Sequence, residues 1–248
     1  MPDCKTSRYR ENKICQLLEF YAEEVSDIYF VGDVFDFWFE YKTVVPKGFY
    51  RFFGKLASLA EKGIQLHFFK GNHDMWMKEL FTTEFNAKIY SNPIQLKLGG
   101  KNIYIGHGDG LGPGDLKYKF LKLFFASPIC KFLFKWIHPD LGIGLANFLS
   151  YKSRYGQPQE PEIYLGNDKE WLYNYCQSKL KGEAIDYFIF GHRHLPIYTQ
   201  IDNSSATYIN LGDWLQFDTY AIFDGNEVSL YQYGSEKSNF DFDPNIAG

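Results

Sequence analysis

Cysteine is scarce and scattered. Cys4, Cys15, Cys130 and Cys176 are the only four in 248 residues, and no Cys-x-x-Cys occurs. That pattern predicts reduced thiols in a cytosolic protein rather than a disulfide frame. Long apolar runs are also missing. None approaches the roughly 20 residues needed to cross a bilayer as a helix, and no signal-peptide pattern opens the chain. Positive charge is not in excess: the net charge is −4 and the pI about 5.9. A general nucleic-acid binder is therefore not expected. There are no internal repeats. What the chain has in quantity is apolar and aromatic residues, 45% and 19% of the total, ample for a core. Its length suits one large domain, or one domain with a substantial insertion.

Four segments share one build: an apolar, strand-like run that stops at glycine and is followed by polar residues able to bind metal. They are Ile28-Tyr-Phe-Val-Gly-Asp33-Val-Phe-Asp36, Phe68-Phe-Lys-Gly-Asn72-His73-Asp74, Ile103-Tyr-Ile-Gly-His107-Gly-Asp109, and Tyr187-Phe-Ile-Phe-Gly-His192-Arg-His194. Glycine permits the sharp turn, and open α/β sheets place their chemistry at the C-terminal ends of strands. One such loop alone reads as an ordinary turn. Four alike are hard to explain as unrelated turns. Together they offer carboxylate, amide oxygen and imidazole, a mixed N/O set suited to Mn, Fe or Zn.

The remaining elements are placed by periodicity. Residues 1–9 are polar and expected to be loose. Helices are predicted over Arg10–Glu24, Gly48–Lys62 and Asp168–Leu180, and a short one over Trp76–Phe81. Strands are predicted at Lys88–Tyr90, Ile94–Leu98 and Asn102–Ile105, with a Gly99-Gly100 hairpin turn between the last two. His67, inside a strand, reads as a core or surface histidine. The glycine-rich loop from Gly108 to Gly114 suits close approach of backbone to phosphate. Strands near Ile197–Ile201, Thr207–Leu211, Tyr220–Phe223 and Val228–Tyr231 would complete a second sheet. Residues 155–168 read as a polar loop, and the tail after Gly234 as disordered.

Residues 115–154 differ from the rest. They carry seven Lys or Arg against Asp115 and Asp140 only, in a chain that is acidic overall. Leu116, Phe120, Leu123 and Phe124 are helically spaced, as are Ile129, Phe132, Leu133 and Trp136. Pro128 separates the two helices, and Pro139 and Gly142 are expected to end the second. Basic amphipathic helices rich in Phe, Leu and Trp suit an interfacial membrane element, or a cap over an acylated substrate. An ordinary helical hairpin with solvated lysines has the same pattern.

The ordered set Gly-Asp…Gly-Asn-His-Asp…Gly-His…Gly-His-x-His resembles the calcineurin-like metallophosphoesterases. The fuller strings Gly-Asp-Val-Phe-Asp-Phe-Trp, Gly-His-Gly-Asp-Gly-Leu-Gly-Pro-Gly-Asp and Gly-His-Arg-His-Leu-Pro look like one branch, the UDP-2,3-diacylglucosamine pyrophosphohydrolases of lipid A biosynthesis. The resemblance runs from about Ser7 to about Tyr231. It implies an α/β fold, a metallophosphoesterase-type β-sandwich flanked by helices, built as a single domain over 1–248 with a helical cap inserted at 115–154. It implies a two-metal site, with Mn²⁺ as the metal. Asp33 would bridge the metals, Asn72, His107 and His192 would bind the second, and His194 the first. His73 would steady phosphoryl charge or protonate the leaving group, and Asp36 would orient its loop. Asn72, His73 and His192 would also meet the substrate. Asp115, Lys152, Ser153 and Arg154 are candidates for contacting its glucosamine-phosphate part. The implied reaction is attack of water on the α-phosphorus of UDP-2,3-diacylglucosamine, giving UMP and the diacylated sugar phosphate. The implied location is the cytoplasmic face of the inner membrane, peripherally bound, with no obligate protein partner.

One family motif has no match. The family opens with a strand carrying Asp-x-His, two ligands of the first metal, and no Asp-x-His occurs anywhere in this sequence. Three readings follow: an active hydrolase whose natural chain starts earlier, a shortened inactive relative that binds lipid or nucleotide, or a phosphoesterase of the same fold acting on another substrate.

Overall fold

The computed structural model describes residues 5–112, 116–155 and 164–235. The chain divides into two compact units. One comprises Met1–Ser91 with Lys119–Gln157, the other Asn92–Tyr118 with Pro158–Gly248.

In the first unit, α1 (Lys5–Phe20) leads into β1 (Asp27–Phe30), α2 (Tyr50–Glu61), β2 (Gln65–Phe69), α3 (Leu80–Phe85) and β3 (Lys88–Tyr90). The three strands form a parallel sheet in the order β1-β2-β3. Parallel strands connected by helices are covered by them, so their residues read as nearly continuous apolar runs. Leu66, Phe68 and Phe69 of β2 are accordingly almost fully buried. Beside them lies an aromatic cluster that includes Phe35, Trp38, Phe52 and Phe81. α2 supplies Phe52, Leu56 and Leu59 from one face, the spacing that predicted it.

Two boundaries depart from the sequence reading. Residues 5–9, expected to be loose, form the first turns of α1. The short helix expected over Trp76–Phe81 is α3, which begins at Leu80. The Glu40 carboxylate accepts the backbone N–H groups of Lys78, Glu79 and Leu80 at 2.8, 2.7 and 2.9 Å. A distant side chain thereby satisfies the donors that a helix start leaves open, and the helix begins there.

The basic stretch folds as three helices: α4 (Leu116–Ala126), α5 (Pro128–Lys135) and α6 (Pro139–Tyr155). Ser127 caps α5 by accepting the Cys130 N–H at 3.2 Å. α6 lies where Pro139 and Gly142 were expected only to end a helix. Pro139 stands at its first position, where its missing N–H costs nothing, and Asp140 follows in the first turn. Phe134 packs on Phe37, Phe39 and Trp76 with ring centroids 4.7–5.7 Å apart. The Trp76 indole N–H donates to the Phe125 carbonyl at 2.8 Å.

The second unit carries β4 (Ile94–Leu98), β5 (Lys101–Ile105), α7 (Trp171–Leu180), β6 (Tyr187–Phe190), β7 (Pro196–Gln200), β8 (Thr207–Leu211), β9 (Thr219–Phe223) and β10 (Val228–Gln232). The helix expected over Asp168–Leu180 is a 3₁₀ turn at Asn167–Lys169 followed by α7. Five strands form a mixed sheet ordered β4-β5-β6-β8-β7. The β4–β5 hairpin turns at Gly99 and Gly100, both at positive φ, the backbone that two-residue hairpin turns require. Of the four C-terminal strands expected to complete one sheet, β7 and β8 join the five-stranded sheet, and β9 and β10 pair as an antiparallel ribbon. The buried face is aromatic and aliphatic, with Phe188, Phe190 and Tyr208 against Leu172 and Tyr173 of α7. Most of the polar loop expected at 155–168, and the tail after residue 235, lie outside the described residues. Among the described residues, Cys15, Cys130 and Cys176 are free thiols.

His67 is a core residue of the first unit. Its Nε2 donates to Asp27 Oδ1 at 2.9 Å and its Nδ1 accepts from Tyr90 Oη at 3.0 Å, with Tyr29 stacked on the ring. Burial holds its pKa below the ordinary histidine value, partly opposed by Asp27. Below about pH 6.5 the unfolded chain therefore binds a proton that the folded chain resists, and stability falls as pH falls. The urea midpoint is expected to drop between pH 7.5 and 5.5, and His67→Gln should flatten that slope. An unchanged slope in His67→Gln would show that another group controls it.

Candidate functional site

In the first unit, two strand-end loops interlock. The loop after β1 turns through Gly32 and Asp33, with φ of 88° and 52°. A non-glycine residue in the left-handed region persists where its surroundings determine it, and here they do. Asp33 Oδ1 accepts the His73 N–H at 2.8 Å. In return, Asp74 reaches back. It is fully buried, and it accepts Gly71 N–H through Oδ1 at 2.7 Å and Val34 N–H through Oδ2 at 2.8 Å. Trp38 N–H donates to the His73 carbonyl at 3.1 Å. Asp33, Asn72 and His73 thus occupy one braced pair of loops, each half-buried.

His73 is fixed further. Its Nδ1 lies 3.0 Å from the Asp36 carbonyl oxygen. A carbonyl only accepts, so Nδ1 carries the proton. Asp36 makes this contact through its backbone carbonyl, not through the carboxylate that was expected to orient its loop.

In the second unit, His107 lies two residues past the end of β5 and His192 two residues past the end of β6. The His107 carbonyl accepts the N–H groups of Gly191 and His192 at 3.0 and 2.9 Å. His107 Nε2 and His192 Nδ1 lie 3.3 Å apart. Gly108, at φ 109°, passes close beneath. A Cβ there would lie 3.3 Å from Leu172 Cδ1 and 3.5 Å from His192 Cβ. Trp171 flanks the His192 ring.

His194 has a different neighbour, Asp213, whose Oδ2 lies 3.0 Å from His194 Nδ1. The segment 191–195 is bent rather than extended, so strand alternation does not set the directions of these side chains. Arg193 pairs with Glu170, Nε to Oε2 3.3 Å. Glu170 is buried and also accepts from the Tyr208 hydroxyl at 3.4 Å.

The donor set fits a divalent cation on its chemistry. In the second unit two imidazole nitrogens converge and a third imidazole is backed by a carboxylate, the usual support of a histidine ligand. The first unit, taken by itself, holds the Asp33 carboxylate in a left-handed turn. Asp115 lies outside the described residues. Lys152, Ser153 and Arg154 fall in α6, and their side chains also lie outside them. Sequence reasoning assigned no role to Asp74, Asp213 or Glu170. For Asp74 the signal was present in Gly-Asn-His-Asp. For Asp213 and Glu170 it was not, because each is defined by a contact with a residue about 20 positions away in the sequence.

Residues 10–196 match the calcineurin-like phosphoesterase family. The chain belongs to that family. As a calcineurin-like phosphoesterase it is a hydrolase whose family chemistry uses divalent metal. It is 36% identical over 234 residues to a UDP-2,3-diacylglucosamine hydrolase of Porphyromonas gingivalis, covering 89% of this chain and 88% of that protein. It is 24% identical over 196 residues to a protein of the same name from Stutzerimonas stutzeri, covering 78% and 79%.

A tight geometric demand in this phosphoesterase falls at Gly71. A Cβ there would stand 2.1 Å from Asp33 Oδ1 and 2.5 Å from its backbone N. Gly71→Ala must displace Asp33 and is expected to cost roughly 1–3 kcal/mol, as overpacking does. A urea titration measures this, and an unshifted midpoint would mean that the loop yields without strain.

Proposed function

We propose that this chain hydrolyses the pyrophosphate bond of UDP-2,3-diacylglucosamine, a step of lipid A biosynthesis. Water adds to the α-phosphorus and the P–O–P bridge breaks, giving UMP and 2,3-diacylglucosamine 1-phosphate. The observation that carries this reading is the P. gingivalis relative, similar over nearly the whole of both chains. In this reading Asp33, Asn72, His107, His192 and His194 would hold metal, and Mn²⁺ is the metal that the family resemblance implies. When bound, the metal supplies charge neutralisation on phosphoryl oxygens and activation of water.

The other roles belong to this chain's own groups. His73 Nε2 meets the phosphoryl oxygens, where a proton carried on it steadies negative charge or passes to the leaving oxygen. The Asp36 carbonyl on Nδ1 supports that positively charged form. Asn72 and His192 border the phosphate. Asp115, Lys152, Ser153 and Arg154 contact the glucosamine-phosphate part. The helices of residues 115–154 form a cap that cradles the acyl chains.

The same helices seat the enzyme on the inner-membrane surface, from the cytoplasmic side. Phe120, Leu123, Ile129 and Trp136 are each more than 70% exposed, and Phe132, Leu133 and Leu141 more than half. Apolar exposure on that scale marks a surface that meets lipid or protein. Withdrawing one such side chain from water is worth roughly 1.5–3 kcal/mol. A lysine near an anionic surface contributes about 1 kcal/mol. Apolar insertion therefore dominates, with Lys119, Lys122 and Lys135 steering.

The test is release of UMP from UDP-2,3-diacylglucosamine with added Mn²⁺. His192→Ala is expected to abolish it and to lower bound metal. Hydrolysis of an aryl phosphodiester with none of the lipid substrate would point to a different substrate. Separately, Phe132→Ser/Trp136→Ser is expected to lower sedimentation with anionic vesicles at least about tenfold, by loss of two insertions, and moderate salt should lower it much less. Salt-sensitive binding unchanged by the double substitution would instead assign attachment to charge.

A further inference from the structure

The antiparallel register of β7 and β8 pairs Pro196 with Leu211 and Gln200 with Thr207. The segments that leave these paired ends, 192–195 before Pro196 and 212–213 after Leu211, carry His194 and Asp213, whose side chains meet. The turn that carries Asp213 is built to hold it. Asp213 Oδ1 accepts the N–H groups of Leu215, Gln216 and Phe217 at 3.1, 2.9 and 3.3 Å. Gly212, at φ 68°, leaves no room for a side chain: a Cβ would lie 2.8 Å from Thr219 Oγ1 and 3.0 Å from Pro196 N. Trp214 closes the turn by donating to the Thr219 carbonyl at 3.0 Å. One carboxylate oxygen is thereby anchored in its own loop, and the other, Oδ2, is aimed at His194 Nδ1 at 3.0 Å. The Asp213 side chain is only 9% exposed.

We propose that Asp213 is a positioning residue that fixes the tautomer of His194, keeping the proton on Nδ1 and the lone pair on Nε2 for a divalent cation. An ionised carboxylate only accepts hydrogen bonds, so the imidazole must present N–H to it. The ring is then held both in rotation and in tautomer, and Nε2 is the more basic for it. This rests on the reading of His194 as a metal ligand.

The discriminating variant is Asp213→Asn. Its amide oxygen can keep the three turn bonds, so the loop survives. Its NH₂ then faces His194 Nδ1 and favours the opposite tautomer, with the proton on Nε2. Nitrogen-15 NMR of the metal-free protein reads the His194 tautomer directly. The wild type is expected to show Nδ1–H, and Asp213→Asn to shift toward Nε2–H with an unchanged thermal midpoint. Mn²⁺ affinity, titrated calorimetrically, should fall by about 10–100-fold, the usual consequence of losing such a partner. Retention of Nδ1–H and of full Mn²⁺ affinity in Asp213→Asn would overturn the proposal. His194→Ala separates the two layers. If it binds Mn²⁺ like the wild type, the ligand reading fails. If it loses Mn²⁺ while Asp213→Asn does not, only the positioning role fails. A collapsed thermal midpoint in Asp213→Asn would show the carboxylate to be structural, and would equally overturn the proposal.

Discussion

The first unit's chemistry depends on one buried carboxylate. Asp74 has no exposed surface, and a carboxylate in that position is tolerable only if its oxygens are satisfied. They are, by N–H groups from two different strand-end loops, Gly71 and Val34. The same interaction that neutralises the cost of burial also ties the loops together. Asp33 can then sit in a left-handed turn and His73 can be gripped from both its backbone and its ring. Charge-assisted bonds of this kind are stronger than neutral ones, so the brace is stiff where the chemistry needs stiffness.

The second unit reaches the same end differently. Its histidines are held by backbone carbonyls, sheet register and one paired carboxylate rather than by a single crosslink. His107 offers its carbonyl to the chain at Gly191 and His192 while its ring faces that of His192. Arg193, between the two later histidines, is anchored on buried Glu170. Each histidine of Gly-His-Arg-His therefore has its own support, and the arginine is part of that support.

Much of this was legible in the sequence, and for a local reason. A strand that stops at glycine and is followed by side chains able to bind metal announces itself within ten residues. Lys88–Tyr90, Ile94–Leu98 and Tyr187–Phe190 lie where their apolar patterns put them. What escaped the sequence was non-local or two-valued. Pro139 reads equally as a helix stop and as a first helical residue, and only the structure shows the second. Trp76–Phe81 has helical composition, but Glu40, far away in sequence, decides where α3 starts. Asp213 looks like any Gly-Asp turn until its contact with His194, far off in sequence, is seen. The domain plan was read as one domain with a helical cap inserted at 115–154, and the structure adds that α5 packs on aromatic residues of the first unit.

The interleaving of the two units has a consequence for synthesis. The first unit needs Lys119–Gln157, and the second needs Asn92–Tyr118, which is made earlier, and Pro158 onward, which is made later. Neither unit is complete when its first half leaves the ribosome. Phe37, Phe39 and Trp76 must wait about 50 or more residues, several seconds at usual elongation rates, for Phe134 to cover them. Closing of this aromatic cluster therefore waits on residues made well after the strands of the first unit.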